Sequence, residues 1–394
     1  MSVMNLNQLH LPYSIGIVGA GPAGSMAAAL LASQGHKVRI LERKKTTDRK
    51  VCGEYLCPKG VELLEKLGLY GLLCSDFKSL SGMLLVSPDN DQIPAYFPQL
   101  SNSERGVSVN RQIFDQKLLE LAIKNGAELS INETVTSISK NASEKWDVIT
   151  ANEKFEFDFL IAADGRQSKI GHQLGHIKEI NTERAALHCY LPRKIDRGLR
   201  LGEMHILENG NYCGLDPIND DEVNFSIVCN SRRLKYESAK EIINNSIKSS
   251  KRLSALFDLL SDENKIQIVT TLKNKNHFIA GDGLAYVGDA AGFIDPLTGE
   301  GIYNALLSSQ LLADSISRNP TLPAALKEYK LKKKKLSFQK NMLNHFFQVV
   351  IRSPLLINLT VKFLKKSQKR ADNFIGIIGN IYNPITGIIK MLRA

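Results

Sequence analysis

The sequence predicts an α/β protein: one unit on a parallel sheet, an antiparallel β-sheet inserted into it, and C-terminal helices. Three features carry this. Near the N-terminus an all-apolar run, a glycine-rich turn and an Ala/Leu-rich stretch follow one another. The middle of the chain shows period-two alternation, as in "GMLLVSP" and "VNFSIVC". Beyond residue 325, apolar residues recur at helical spacing among lysines.

In "SIGIVGAGPAGSMAAALLASQGHKVRILER", Ile15, Ile17 and Val18 form a run suited to a buried parallel strand. Gly19, Gly21 and Gly24 then give the Gly-x-Gly-x-x-Gly spacing. The first permits the turn, the second lets backbone approach a pyrophosphate, and the third lets helix and strand pack closely. A helix is expected from Pro22 to Ser33, with Pro22 and Ala23 in its first turn and its N-terminal amides facing phosphates. The second strand ends at Glu42, 23 residues beyond Gly19, where a carboxylate can receive both hydroxyls of an adenosine ribose; Arg43 adjoins it. Together these indicate a Rossmann-like dinucleotide site without choosing between NAD and FAD.

The dinucleotide unit is expected from residues 1–75, 105–181 and 276–325. A substrate-binding sheet is expected from 76–104 and 182–275, decorated by a helix from Ser238 to Lys251. Trp146, the sole tryptophan, is expected in the core of a hairpin. A basic helical region is expected over 326–394. From residue 327 onward there are 15 basic and 2 acidic residues, against 36 and 38 before it, so the body is near neutral and the tail strongly basic.

Composition excludes several classes. Six cysteines form no Cys-x-x-Cys pair and read as reduced thiols of a cytoplasmic protein. His172 and His176 stand four apart, but no acid completes a set and flanking glycines weaken a helix, so no metal site is expected. The N-terminus lacks the basic start and apolar core of a secretory signal, and no uncharged apolar run reaches the roughly 18 residues of a spanning helix.

"YVGDAAGFIDPLTGEGIYNALLSSQLLADSI" resembles the flavin-contacting segment of the FAD-dependent aromatic hydroxylase and geranylgeranyl reductase superfamily. The resemblance extends in separate blocks to about residue 325 and implies FAD as the cofactor. Gly288 and Asp289 match the Gly-Asp block, whose Asp bonds a ribityl hydroxyl. Pro296, Gly299 and Gly301, followed by Ile302, match the turn beside the isoalloxazine ring. A helix starting there would favour anionic reduced flavin by about 0.3–1 kcal/mol, up to ~2 if partly buried. Asp164 and Gly165 in "FLIAADGRQSKI" match a segment that closes over FAD. Arg111 in "RQIFDQKL" matches an arginine that reaches it. No second Gly-x-Gly-x-x-Gly is present, so hydride is expected from transiently bound NADPH or NADH, or from a redox partner.

Cys52-Gly53-Glu54 resembles the reductase branch, which places Cys52 and Glu54 near the ring, with Glu54 as a proton donor if burial raises its pKa. Reduction or dehydrogenation of C=C bonds in a hydrophobic prenyl- or polyketide-type molecule is the favoured expectation. Hydroxylation by a flavin monooxygenase stands second, and a non-enzymatic flavoprotein docking through its tail third. The strand with Tyr212, Cys213, Leu215 and Pro217 corresponds to the reductases' substrate strand. Gly214 and Asp216 occupy its Trp and Phe positions, so the pocket wall departs from theirs. The tail is expected to cap the pocket, to rest on an anionic membrane at the inner face, or both. Nucleic-acid binding through Lys332–Lys335 is disfavoured for want of stacking aromatics. The sequence leaves oligomeric state open.

Overall fold

The computed structural model describes residues 12–45, 53–98, 105–180, 182–194, 200–270, 272–293 and 299–394. Cys52 and Pro296 lie outside these residues. Ser14–Val18 runs inside a six-stranded sheet ordered Ala280–Gly281, Leu284–Tyr286, Phe159–Ala162, Ser14–Val18, Lys37–Glu42, Glu128–Ile131. All pairs are parallel except the Ala280–Gly281 edge. The register sets Val18 beside both Ala162 and Leu41, and Ala162 beside Tyr286. The turns after these four strands therefore emerge at one rim.

Alternation along the strands divides the core. Ile15, Ile17 and Ile40 face the helices Pro22–Ser33 and Gly301–Arg318, packed with Met26, Leu31 and Leu306. Val18, Leu41 and Leu160 face a three-stranded antiparallel sheet, Val135–Lys140, Trp146–Thr150 and Lys154–Phe157, with Trp146 buried among them.

The second large sheet has seven strands, ordered Gln267–Val269, Arg184–Pro192, Glu222–Asn230, Tyr212–Pro217, Leu201–Ile206, Gly82–Val86, Gln92–Tyr96. Only the Leu201–Ile206 and Gly82–Val86 pair is parallel. On the strands Arg184–Pro192, Tyr212–Pro217 and Glu222–Asn230 the odd-numbered residues, among them Leu187, Cys213, Leu215, Phe225 and Ile227, pack under helices Ala239–Ser249 and Lys251–Leu256. Ser238 caps the first helix in a reciprocal box with Glu241. The chain turns extended at Ser250, so the expected helix to Lys251 is two helices.

Other boundaries differ from expectation. Lys78–Leu80, assigned to the inserted sheet, pairs with Gly106–Ser108, which also holds Tyr55–Leu56. Asn274–Asn276 pairs with Ile177–Glu179. The tail forms four helices, Leu322–Arg352, Pro354–Lys365, Gln368–Ile378 and Pro384–Arg393, and its start is no separate region. Tyr329 is fully buried there, and its hydroxyl donates to the Tyr286 carbonyl at 2.6 Å. His176 lies past the short helix Lys169–Gln173 and stacks on Phe278 with ring centroids 4.3 Å apart; no metal-binding cluster occurs among the described residues.

The sheet is tied to its covering helix by charge. Glu203 accepts from Arg252 at 2.7 and 2.8 Å and from Arg193 at 2.9 Å, with His205 Nε2 at 3.0 Å. Burial alone would raise its pKa, but Arg252 and His205 outweigh burial and bring it to about 2. A depressed carboxylate stabilises the fold above the ordinary acid range, and that contribution is lost as pH falls towards 2. Glu203→Gln is expected to cost about 3–5 kcal/mol, read by urea denaturation at neutral pH, because it strands buried guanidinium groups.

Candidate functional site

Between the rim of the parallel sheet and the face of the seven-stranded sheet turned away from its covering helices lies a cleft of about 1140 Å³. It is at or above the usual upper size for a small-molecule site. Gly19, Gly21, Pro22, Ala23, Glu42 and Arg43 line one end. Gly24 lies beneath the turn: a Cβ there would stand 1.9 Å from the Gly19 carbonyl oxygen. The helix that starts at Pro22 has neither a side-chain cap nor an acid in its first turn, which leaves amides open to an anion. Glu42 is fixed at the rim by the amides of Ala20 at 2.8 Å and Lys44 at 3.0 Å.

The other turns meet this one. Asp164, Gly165, Gly288 and Asp289 line the same cleft. Asp164 Oδ2 accepts from the Ile170 amide at 3.2 Å, while Oδ1 is buried with no hydrogen bond among the described residues. Burial raises its pKa. Gly288 has φ +59°, and a Cβ there would meet the Ala23 Cβ at 2.7 Å, so the bare Gly288 backbone rests on the Ala23 methyl. Burial also raises the Asp289 pKa, opposed by Arg166, Arg111 and Lys333. Lys333 is buried, so the Lys332–Lys335 run is not one solvated basic face. Gly299, Gly301 and Ile302 complete this side, and the helix Gly301–Arg318 also begins without a side-chain cap or first-turn acid.

Arg111 lines the cleft, and Asp115 grips its guanidinium through two bonds of 2.8 and 2.9 Å in a buried fork. Its backbone amide donates to Glu54 Oε1 at 2.7 Å, and Asn224 Nδ2 reaches Oε2 at 3.1 Å. Glu54 is fully buried behind the wall rather than on it, and burial raises its pKa. The carboxyl on the cleft wall is Asp216, whose pKa burial and the Glu54 charge raise to about 7. A Cβ on Gly53 would lie 3.7 Å from Asp216 Oδ2. Tyr55 lies against Gly299, and its buried hydroxyl has no hydrogen bond among the described residues. Of the strand singled out from sequence, Tyr212, Gly214 and Asp216 face the cleft; Cys213 and Leu215 point into the opposite core. Asp216 and Tyr55 line the cleft but are not among the site residues expected from sequence. An acid within an apolar alternating strand was the available signal.

The model of an FAD binding domain family matches residues 13–317, most of the chain. The chain belongs to this FAD-binding family. It is 27% identical to a digeranylgeranylglycerophospholipid reductase of Methanocella arvoryzae over 325 residues, covering 77% of each chain. The fold is similar to that of CmlS, a flavin-dependent halogenase, at TM-score 0.78 and 22% identity, with 98% of this chain and 77% of that one covered. It is also similar to the halogenase PltM in complex with phloroglucinol and FAD, at TM-score 0.74 and 18% identity, over 97% and 85%.

The residues at the rim fit FAD. Open amides stand where a diphosphate needs donors, Glu42 stands where a ribose needs an acceptor, and the unpartnered Asp164 Oδ1 leaves an acceptor for a hydroxyl. Asp289→Ala is expected to weaken FAD binding by about 10–100-fold, the equivalent of a hydrogen bond to a charged group at ~1.5–3 kcal/mol. Fluorescence titration of the apoprotein with FAD measures it.

Proposed function

We propose that this flavoprotein reduces C=C bonds of a hydrophobic, prenyl-type molecule, with NADPH or NADH as a transient electron donor. The observation that carries the reading is the polarity gradient along the cleft-facing sheet. Cross-strand register sets Tyr190, Asn224 and Asp216 in one row, His188, Ser226 and Gly214 in the next, and Ala186, Val228 and Tyr212 in the third. The first row adjoins Gly53 and Glu54. The third packs with Leu272, Phe347 and Ile351. A molecule with a reactive end and a long apolar tail suits such a wall, since each buried CH₂ contributes about 0.8 kcal/mol. Similarity to a reductase over 77% of the chain supports the same class.

Bound FAD supplies the electron pair or hydride. The chain itself supplies the proton that saturation of a C=C bond also requires. Asp216 is suited to this because it stands on the wall and holds its proton up to about pH 7. Burial favours that proton, and the charge of Glu54, anchored behind it by the Arg111 amide and Asn224, adds like-charge repulsion. The Tyr55 hydroxyl offers a further hydrogen bond on the same side. Gly214 leaves this stretch of wall bare of a side chain, and Asp216 sets a carboxyl on it.

Anaerobic incubation of the reduced holoprotein with a geranylgeranyl-bearing lipid is expected to give a product heavier by two hydrogens per bond. A strict need for oxygen, with one oxygen atom incorporated, would assign the chain to the monooxygenases instead. Reduced flavin that no substrate reoxidises would indicate a binding module. A second expectation concerns pH. A carboxyl with a raised pKa donates below about 7 and not above it, so turnover should fall as pH rises through that value. Asp216→Asn should lower kcat by roughly 10²–10⁴-fold at low pH, flatten the profile and leave the FAD absorption spectrum unchanged.

A further inference from the structure

The last helix, Pro384–Arg393, is inside out. Ile385, Ile388, Ile389 and Leu392 follow the i, i+3, i+4, i+7 spacing by which a helix normally buries one stripe. Here the stripe faces outward, with exposures between 40% and 67%. The inner contact is made by Gly387, where a Cβ would meet Ile377 Cγ1 at 2.2 Å, so the helix backbone lies close on the helix before it. Pro354–Lys365 packs on that same helix, Gln368–Ile378, and buries Ile357, Val361 and Leu364 while leaving Leu355, Leu356 and Leu359 exposed. Two helices resting on a third thus each carry an uncovered apolar face.

Charge indicates what covers them. Lys362, Lys365, Lys369, Lys390 and Arg393 on these three helices and Lys366 in the turn between the first two are all exposed, and of them Lys365 pairs with Asp91. Their one acid, Asp372, is taken by the Tyr96 amide at 2.8 Å and Gln368 at 2.7 Å. A second copy of this chain docking face to face would bring the same cations against themselves. An anionic bilayer complements both features, taking apolar side chains at the acyl boundary and cations at the headgroups. No single described helix is long and apolar enough to cross a membrane. Among the described residues, only Leu322–Arg352 together with the helix after it meets that test, and the two are bent by 104°. The first of these is anchored in the core through Tyr329, and the second through Val361 and Leu364. The geometry suits lying on a surface, not spanning it.

We propose that the helices Pro354–Lys365 and Pro384–Arg393 dock the protein flat on an anionic lipid bilayer. The helix between them carries Ile378, which lines the cleft, so the docked face adjoins the apolar end of the site. The proposal does not depend on the reaction the flavin performs.

The test uses full-length holoprotein and co-sedimentation with vesicles of phosphatidylcholine alone or mixed with phosphatidylglycerol. Binding to the mixed vesicles is expected, weakened by added salt. I389E/L392E should reduce it at least tenfold, and K366E/K369E should reduce it on the mixed vesicles, with FAD absorbance and circular dichroism unchanged in both. Failure of the parent protein to sediment with mixed vesicles would overturn the proposal, as would I389E/L392E binding like the parent. A dimer in solution that I389E/L392E dissociates, without vesicle binding, would also overturn it and assign the face to a second copy.

Discussion

The site depends on a junction between two helices whose sequences lie far apart. Ser309 donates its hydroxyl hydrogen to the Ala23 carbonyl at 2.7 Å, and the Gly288 amide donates to the Ser308 hydroxyl at 2.8 Å. These bonds lock Gly301–Arg318 against Pro22–Ser33, with Gly288 pressed on Ala23 between them. Two uncapped helix starts thereby open on one cleft, and the diphosphate-type turn is held to the segment expected beside the flavin ring. Small residues at the contact allow this, since any larger side chain would part the helices and separate the two ends of the cofactor groove.

Around that junction the two sheets have different tasks. The parallel sheet delivers turns: its register ends four strands at one rim, where polar backbone meets the cleft. The antiparallel sheet delivers side chains, because successive residues face opposite ways. On Tyr212–Pro217 this parity sends Asp216 to the cleft and Leu215 to the core under the covering helices. Asp216 and Glu54 form a coupled pair in which one faces the cleft and the other is held behind the wall. Burial first, and the Glu54 charge second, raise the Asp216 pKa to about 7.

The C-terminal helices close the molecule. Phe347 and Ile351 join Tyr212 and Val228 in one apolar cluster, so the tail forms part of the wall as well as part of the outer surface. Lys333 turns inward to the neighbourhood of Asp289, and Lys332 pairs with Glu328, which absorbs part of the basic run into the fold. Exposed cations also stand on the last three helices, beside the exposed apolar faces.

By itself the sequence determined the cofactor turn, the Glu42 position, the Asp164 and Asp289 segments and the α/β character with its inserted sheet. These are local demands: a backbone without Cβ, a strand ending in an acid, a helix start left open. Each is written within a few consecutive residues. The Arg111–Asp115 spacing was equally visible, but not that the fork is buried. Only the tertiary structure decided that Glu54 hides while Asp216 faces the cleft, that Tyr55 joins it, and that the last helix turns its isoleucines outward. Those outcomes follow from non-local strand pairing and helix docking. Shifting a strand by one residue exchanges its two faces, and no short stretch of sequence records which face its distant partner will cover.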